Sequence, residues 1–158
     1  MRSFTLNLLI AVIWLLLSAE PSAGVFALGF LIGFTLLGVF RSVLASADYV
    51  RRVLALGRFL IVFTGEFVAA NIDMVRIVLF RSRDSLHPNF ITYDVGGMSP
   101  MEILLLTYCV SLTPGSTSVK VTDDFQTLVL HTIDADDPDG VRARLDRLFK
   151  NGILSFTR

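Results

Sequence analysis

The sequence predicts a membrane protein: an α-helical hairpin, then an amphipathic helix, then a small cytoplasmic α/β domain of order β-α-β-β-α. Three observations carry that class. Two apolar runs, residues 3–17 and 23–40, are separated only by Ser18, Ala19, Glu20, Pro21 and Ser22. Hydrophobic residues make up 53% of the chain and its mean hydropathy is +0.66, which few soluble domains reach. From Phe90 onward the apolar runs shorten, alternate with polar residues and are separated by capping and turn residues. The expected division is a hairpin over 1–45 with helices at about 3–19 and 23–43, an amphipathic helix over 46–83, and the α/β domain over 84–158.

A helix needs about 20 apolar residues to cross a bilayer, with roughly 17 as the lower limit. Each run reaches that range once its flanks are counted, and the Glu20-Pro21-Ser22 turn is too short to let the two diverge. A signal peptide is the rival reading of the first run, with Arg2 ahead of an apolar core. Its cleavage site is poor, because Leu17 rather than a small residue stands before Ser18-Ala19, and a second apolar run follows at once. Arg2 precedes the first helix, and Arg41, Arg51, Arg52 and Arg58 follow the second, while the turn between them has no base. Cytoplasmic flanks collect Lys and Arg, so both ends of the hairpin are expected inside and Glu20 outside. Gly29 and Gly33 form a Gly-x-x-x-Gly pair, which lets another helix approach closely; glycine is also simply common in membrane helices.

Residues 51–83 admit two readings. At 100° per residue, Arg51, Arg58, Gly65, Glu66, Ala69, Asp73, Arg76 and Arg83 fall within about 100° of arc. Phe59, Leu60, Phe63, Phe67, Met74 and Val78 cover much of the other side. Arginine on one face and phenylalanine on the other describe a helix lying in the membrane interface. The alternative is a third span whose charged stripe, Arg58, Glu66, Asp73 and Arg76, faces a protein partner. Glu66 and Asp73 are then candidate ion or proton ligands. A third span would carry Arg81 and Arg83 outward, against the charge rule.

Residues 82–89 read as a linker, with His87 solvated ahead of Pro88. A strand is expected over 90–94, broken by Gly96-Gly97. Ser99-Pro100-Met101-Glu102 is a capping box with proline at the first helical position, opening a helix that runs to about Leu112. Thr113-Pro114-Gly115 ends it. Residues 116–121 and 128–133 alternate as strands and join through Asp123-Asp124-Phe125-Gln126 as a hairpin. Asp137-Pro138 starts a last helix, expected to end at Lys150. Two crossovers are expected to put the helices on one face of a three-stranded sheet.

The net charge is +0, but its halves differ: residues 1–83 hold eight arginines against four acids, and residues 84–158 hold six bases against ten acids. The basic half suits anionic headgroups, and the acidic half argues against nucleic acid. The single Cys109 excludes an internal disulfide. Asp134, Asp136, Asp137 and Asp139 lack the spacing of a calcium loop. His131 has no Cys or second His placed beside it for a metal, and reads as a hydrogen-bonded structural residue. There is no phosphate loop, nucleophile elbow or zinc motif. No metal, cofactor or enzymatic activity is expected.

At Leu112-Thr113-Pro114-Gly115-Ser116 the chain resembles the E subunit of Mrp-type (Mnh-type) multisubunit sodium/proton antiporters. That family reads close to Leu-Thr-Pro-Gly-Thr, then a short strand, a hairpin, and a strand ending in His with Asp three residues on. Val119-Lys120-Val121, Asp123-Asp124 and Leu130-His131-Thr132-Ile133-Asp134 match it. Ser116 replaces the usual Thr, and Tyr108 stands about where the family often has Asn. The resemblance covers nearly the whole chain, yet its motif describes a helix-to-strand turn and not a catalytic centre. It implies a non-catalytic subunit of a large antiporter in the bacterial inner membrane, needed for assembly and contacting other subunits and membrane lipids. A direct part in the ion path through Glu66 and Asp73, or a stand-alone membrane-anchored binding module, are the competing functions.

Overall fold

The computed structural model describes residues 2–82 and 85–158. Its helices and strands are α1 (Arg2–Leu17), α2 (Ala23–Val39), α3 (Ala47–Phe80), β1 (Asn89–Asp94), α4 (Pro100–Leu112), β2 (Ser116–Val121), β3 (Thr127–Thr132), α5 (Pro138–Leu145) and α6 (Asn151–Thr157). The chain divides into two compact units, residues 1–54 and 55–158. Arg83, expected on the charged stripe, lies outside the described residues.

In the first unit α1 and α2 pack side by side. They are antiparallel: Gly29 lies against Trp14, and Gly33 against Asn7 and Ile10. Both helices are shorter than expected, at 16 and 17 residues. The reason at the end of α2 is local. Ser46 donates its hydroxyl to the Leu37 carbonyl at 2.7 Å, satisfying a group the helix terminus leaves unpaired, and Ala45 turns the chain at φ 50°. Among the described residues, α3 is the helix long and apolar enough to cross a membrane, with 34 residues. The fully buried Asn7 donates to the Tyr49 hydroxyl at 2.9 Å, and Tyr49 sits edge-on to Phe4 and Phe34.

The second unit is built on an antiparallel sheet of order β1-β3-β2. Because β1 and β2 both run opposite to β3, they are parallel to each other, and α4 is the crossover that joins them. The connection from β2 to β3 is a hairpin, so the sheet has one crossover where two were expected. Ile91, Tyr93, Leu128 and Leu130 bury one face of the sheet, alternating along their strands. Ile103, Leu106 and Val110 of α4 join them in the core, together with Leu145, Phe149 and Ile153 of the C-terminal helices and Phe59 of α3.

α4 starts with its full capping box: Ser99 accepts from the Glu102 amide at 3.3 Å and Glu102 accepts from the Ser99 amide at 2.7 Å. The last helix does not stop at Lys150. It widens into a π-turn over Asp146–Lys150 and continues to Thr157. The wide turn is held by β1: the Tyr93 hydroxyl donates to Asp146 at 2.5 Å, and Lys150 donates to the Asp94 carbonyl at 2.9 Å. Gly152, just beyond it, has no room for a side chain because the Phe59 ring lies where its Cβ would stand.

Candidate functional site

α3 carries two apolar faces and one polar face. Phe59, Phe63, Glu66, Ala70, Met74 and Ile77 recur at helical spacing and are its buried or half-buried residues from Phe59 onward. Phe59 and Phe63 stack on each other and meet Phe156 and Phe149. Phe59 and Phe63, expected on the lipid-facing side, therefore face protein, and Glu66, expected on the charged stripe, belongs to the protein-facing seam. Leu54, Ile61, Val68, Ile72, Val75 and Leu79 form a separate exposed apolar stripe. Their positions fall within about 60° of arc at 100° per residue.

Between the seam and the α/β domain lies a cleft of about 250 Å³. Glu66, Asp73 and Met74 of α3 line one side, Arg144 of α5 another, and the Thr113-Pro114-Gly115 turn the third. Glu66 is 12% exposed and is paired with Arg144, which remains half exposed. Asp73 pairs with Arg76 at 3.0 Å on the exposed surface. The structure thus brings Glu66 and Asp73 to one cleft. Arg58 is elsewhere, in a second pocket with Arg147.

The turn is held by its own side chains. Thr113 donates to the Cys109 carbonyl at 2.8 Å, and Ser116 to the Val110 carbonyl at 3.1 Å. The first satisfies a carbonyl left over at the end of α4, and the second adds to the Thr113 amide, which donates to the same Val110 carbonyl at 3.2 Å. Gly115 sits at φ 93° and its carbonyl accepts from the Ile133 amide at 3.0 Å. Only glycine adopts that backbone without strain. Ser116 still supplies the hydroxyl that reaches Val110, and Tyr108 is exposed.

His131 lies on β3 with its ring edge-on to Phe90 at 5.1 Å. It does not join the aspartates that follow it. His87, read as a solvated linker residue, pairs through Nδ1 with Asp136 at 2.8 Å. Asp134 is engaged by Arg81 at 2.5 Å through one carboxylate oxygen, and its other oxygen is buried without a hydrogen-bond partner among the described residues. Two of the three potential ligands in this group are thus tied to each other and the third to a guanidinium.

Two further groups are electrostatically distinctive. Glu102 is 4% exposed, and its pKa is held at about 2 by Arg158 first, then Thr157, with Ser99 adding to them against the cost of burial. Burial pushes the Cys109 thiol up to about 11, which leaves it protonated and unreactive at neutral pH. Sequence reasoning does not reach Arg144 or Arg158, since each pairs with an acid more than fifty positions away, nor Arg147, which shares a pocket with the distant Arg58.

Residues 7–155 match the family model described as "MNHE: Na+/H+ ion antiporter subunit". The chain is 31% identical to the E subunit of the Na(+)/H(+) antiporter from Alkalihalophilus pseudofirmus, over 97% of its own length and 96% of that protein. It is also 31% identical to the E1 subunit of the Na(+)/H(+) antiporter from Staphylococcus epidermidis, over 83% and 82% of the two chains. A chain in the structure of the Mrp complex from Dietzia sp. DQ12-45-1b is similar in fold, with a TM-score of 0.51, 24% identity, and 65% of this chain and 94% of that one covered. A chain of the membrane-bound sulfane sulfur reductase, an archaeal respiratory membrane complex, gives a TM-score of 0.57 at 20% identity, covering 96% of each.

Proposed function

Because the chain belongs to the MNHE family of Na+/H+ ion antiporter subunits, we propose that it is a non-catalytic accessory and assembly subunit of a multisubunit Mrp-type sodium/proton antiporter in a bacterial cell membrane. Its partners in this reading are the other subunits of the complex and the surrounding lipid. The observation that carries the accessory role is the Glu66–Arg144 pair. A carboxylate that moves ions must be able to bind and release a cation. Glu66 instead has a guanidinium of its own chain as a counter-ion, and Asp73 has Arg76.

α1 and α2 are read as the membrane hairpin, with Glu20 outside and the arginine-rich flanks inside. α3 is read as lying in the membrane plane. Its seam is covered by a domain whose helices carry Arg142, Arg144, Arg147 and Lys150. A spanning α3 would bring these into hydrocarbon at about 2.5–3.5 kcal/mol for each charge. The second stripe, from Leu54 to Leu79, is left to contact lipid or a neighbouring subunit. In this orientation the α/β domain is cytoplasmic.

The test is sodium-dependent proton exchange in vesicles holding the whole complex, with Glu66→Gln or Asp73→Asn in this subunit and rates normalised to assembled complex. Each variant is expected to keep at least half of normal exchange. Lost exchange with intact assembly would make this subunit part of the transport path. Labelling of an introduced Asp123→Cys by an impermeant reagent from outside intact cells would overturn the cytoplasmic placement.

A further inference from the structure

We propose that the pocket between α3 and the π-turn–α6 segment is a binding site for the phosphate of an anionic phospholipid. Arg58 of α3 and Arg147 of the π-turn both line it, as do Asn151 and Ser155, and no carboxylate among the described residues does. Neither guanidinium has an ion-pair partner among the described residues. That sets them apart from Arg51, Arg76, Arg81, Arg142, Arg144 and Arg158, each of which is paired with an acid.

Two like charges lining one pocket repel each other, and an anion relieves that repulsion. The planar guanidinium fork matches phosphate oxygens and forms charge-assisted hydrogen bonds with them. Gly152 makes the pocket possible. Its missing side chain lets the Phe59 ring close in, which brings the Arg147 segment up to the Arg58 segment of α3.

The remaining wall selects a lipid over free phosphate. Phe59, Val62 and Leu148 line the pocket, and Ile61, one turn along α3 from Arg58, is 75% exposed. A phosphodiester seated between the guanidiniums would send its acyl chains along these side chains and onto the stripe that continues through Val68 and Ile72. Basic pockets beside apolar surface hold anionic headgroups in this way. The inference rests on the membrane location proposed above, and adds a specific lipid site to it.

The detergent-purified full chain is titrated with short-chain phosphatidylglycerol, with short-chain phosphatidylcholine and with inorganic phosphate, and its Tm is followed. Phosphatidylglycerol is expected to raise Tm saturably, and the other two to have little effect. Arg58→Gln and Arg147→Gln should each weaken the apparent affinity at least fivefold. Arg58→Lys and Arg147→Lys should weaken it less, and Lys120→Gln, on β2 away from the pocket, should leave it unchanged. An equal response to inorganic phosphate, or a phosphatidylglycerol response that is unchanged in both glutamine variants, overturns the proposal. Normal assembly and exchange in a complex that shows no lipid response defeats the lipid site alone and leaves the accessory function standing.

Discussion

Glu66 and Arg144, 78 positions apart in the sequence, form an ion pair in which the carboxylate is nearly enclosed and the guanidinium stays half in solvent. The asymmetry sets what each substitution costs. Arg144→Ala strands a negative charge in the seam of α3, whereas Glu66→Gln leaves a guanidinium that water still reaches. We expect Arg144→Ala to cost about 2–3 kcal/mol and Glu66→Gln about 1 kcal/mol. The double variant should recover part of the Arg144→Ala loss. Thermal unfolding of the four proteins in detergent measures the coupling, and strictly additive losses would show that the pair is only a surface contact.

Glu66 also marks where sequence reasoning stops. The capping box at Ser99, the Thr113-Pro114-Gly115 turn and the alternation in β2 and β3 are local: each interaction lies within a few residues, so the sequence displays it. α3 is different. Periodicity finds its apolar positions but does not say which of two apolar stripes meets protein. That choice is made by Phe149 and Phe156, far downstream of the Phe59 and Phe63 rings they meet. The continuation past Lys150 is hidden for a related reason. The π-turn is stabilised by Tyr93 and Asp94 on a distant strand, and Gly152 is explained only by the Phe59 ring against it.

Gly33 of the hairpin should resist replacement by alanine. Its Cβ position is already taken by the Asn7 side-chain oxygen, which has no hydrogen-bond donor among the described residues. Gly33→Ala puts a methyl where that oxygen stands and forces the Asn7 side chain, which donates to Tyr49, to move. Gly38→Ala, with open space around it, is the matched control. The expected outcome is a Tm lower by several degrees for Gly33→Ala and unchanged for Gly38→Ala. Equal values for both would remove Gly33 from the helix contact.

Glu102 should make the α/β domain acid-sensitive. Its folded pKa of about 2 lies below the ordinary value of 4.5, so the stabilisation is fully present above 4.5 and is lost as pH falls toward 2. A buried carboxylate held that low contributes roughly 3 kcal/mol at neutral pH. Glu102→Gln should therefore be less stable than the parent at pH 7, and the difference should shrink steadily between pH 4.5 and pH 2. Unfolding midpoints in denaturant across that range provide the measurement. A gap that stays constant with pH would mean that Glu102 acts through shape and not through charge.

Gly115 tests whether the signature turn serves folding or transport. Its φ of 93° places it where side-chain-bearing residues are strained. Crowding adds little, since a Cβ there would meet Ile133 and Met74 at ordinary distances of 3.6–3.7 Å. The cost of substitution is then mostly backbone strain, about 1–3 kcal/mol for Gly115→Ala or Gly115→Val. Gly115→Asn should cost less, because asparagine tolerates left-handed backbone better than branched residues do. That rank order is particular to strain, as a purely steric limit would penalise Asn and Val more than Ala. The turn offers no ionisable group to the cleft, only the Thr113 and Ser116 hydroxyls already committed to carbonyls of α4. Substitution should consequently lower the amount of assembled complex while leaving sodium/proton exchange per complex intact. Normal assembly of Gly115→Val with exchange abolished would reverse the assignment and place the turn in the transport cycle.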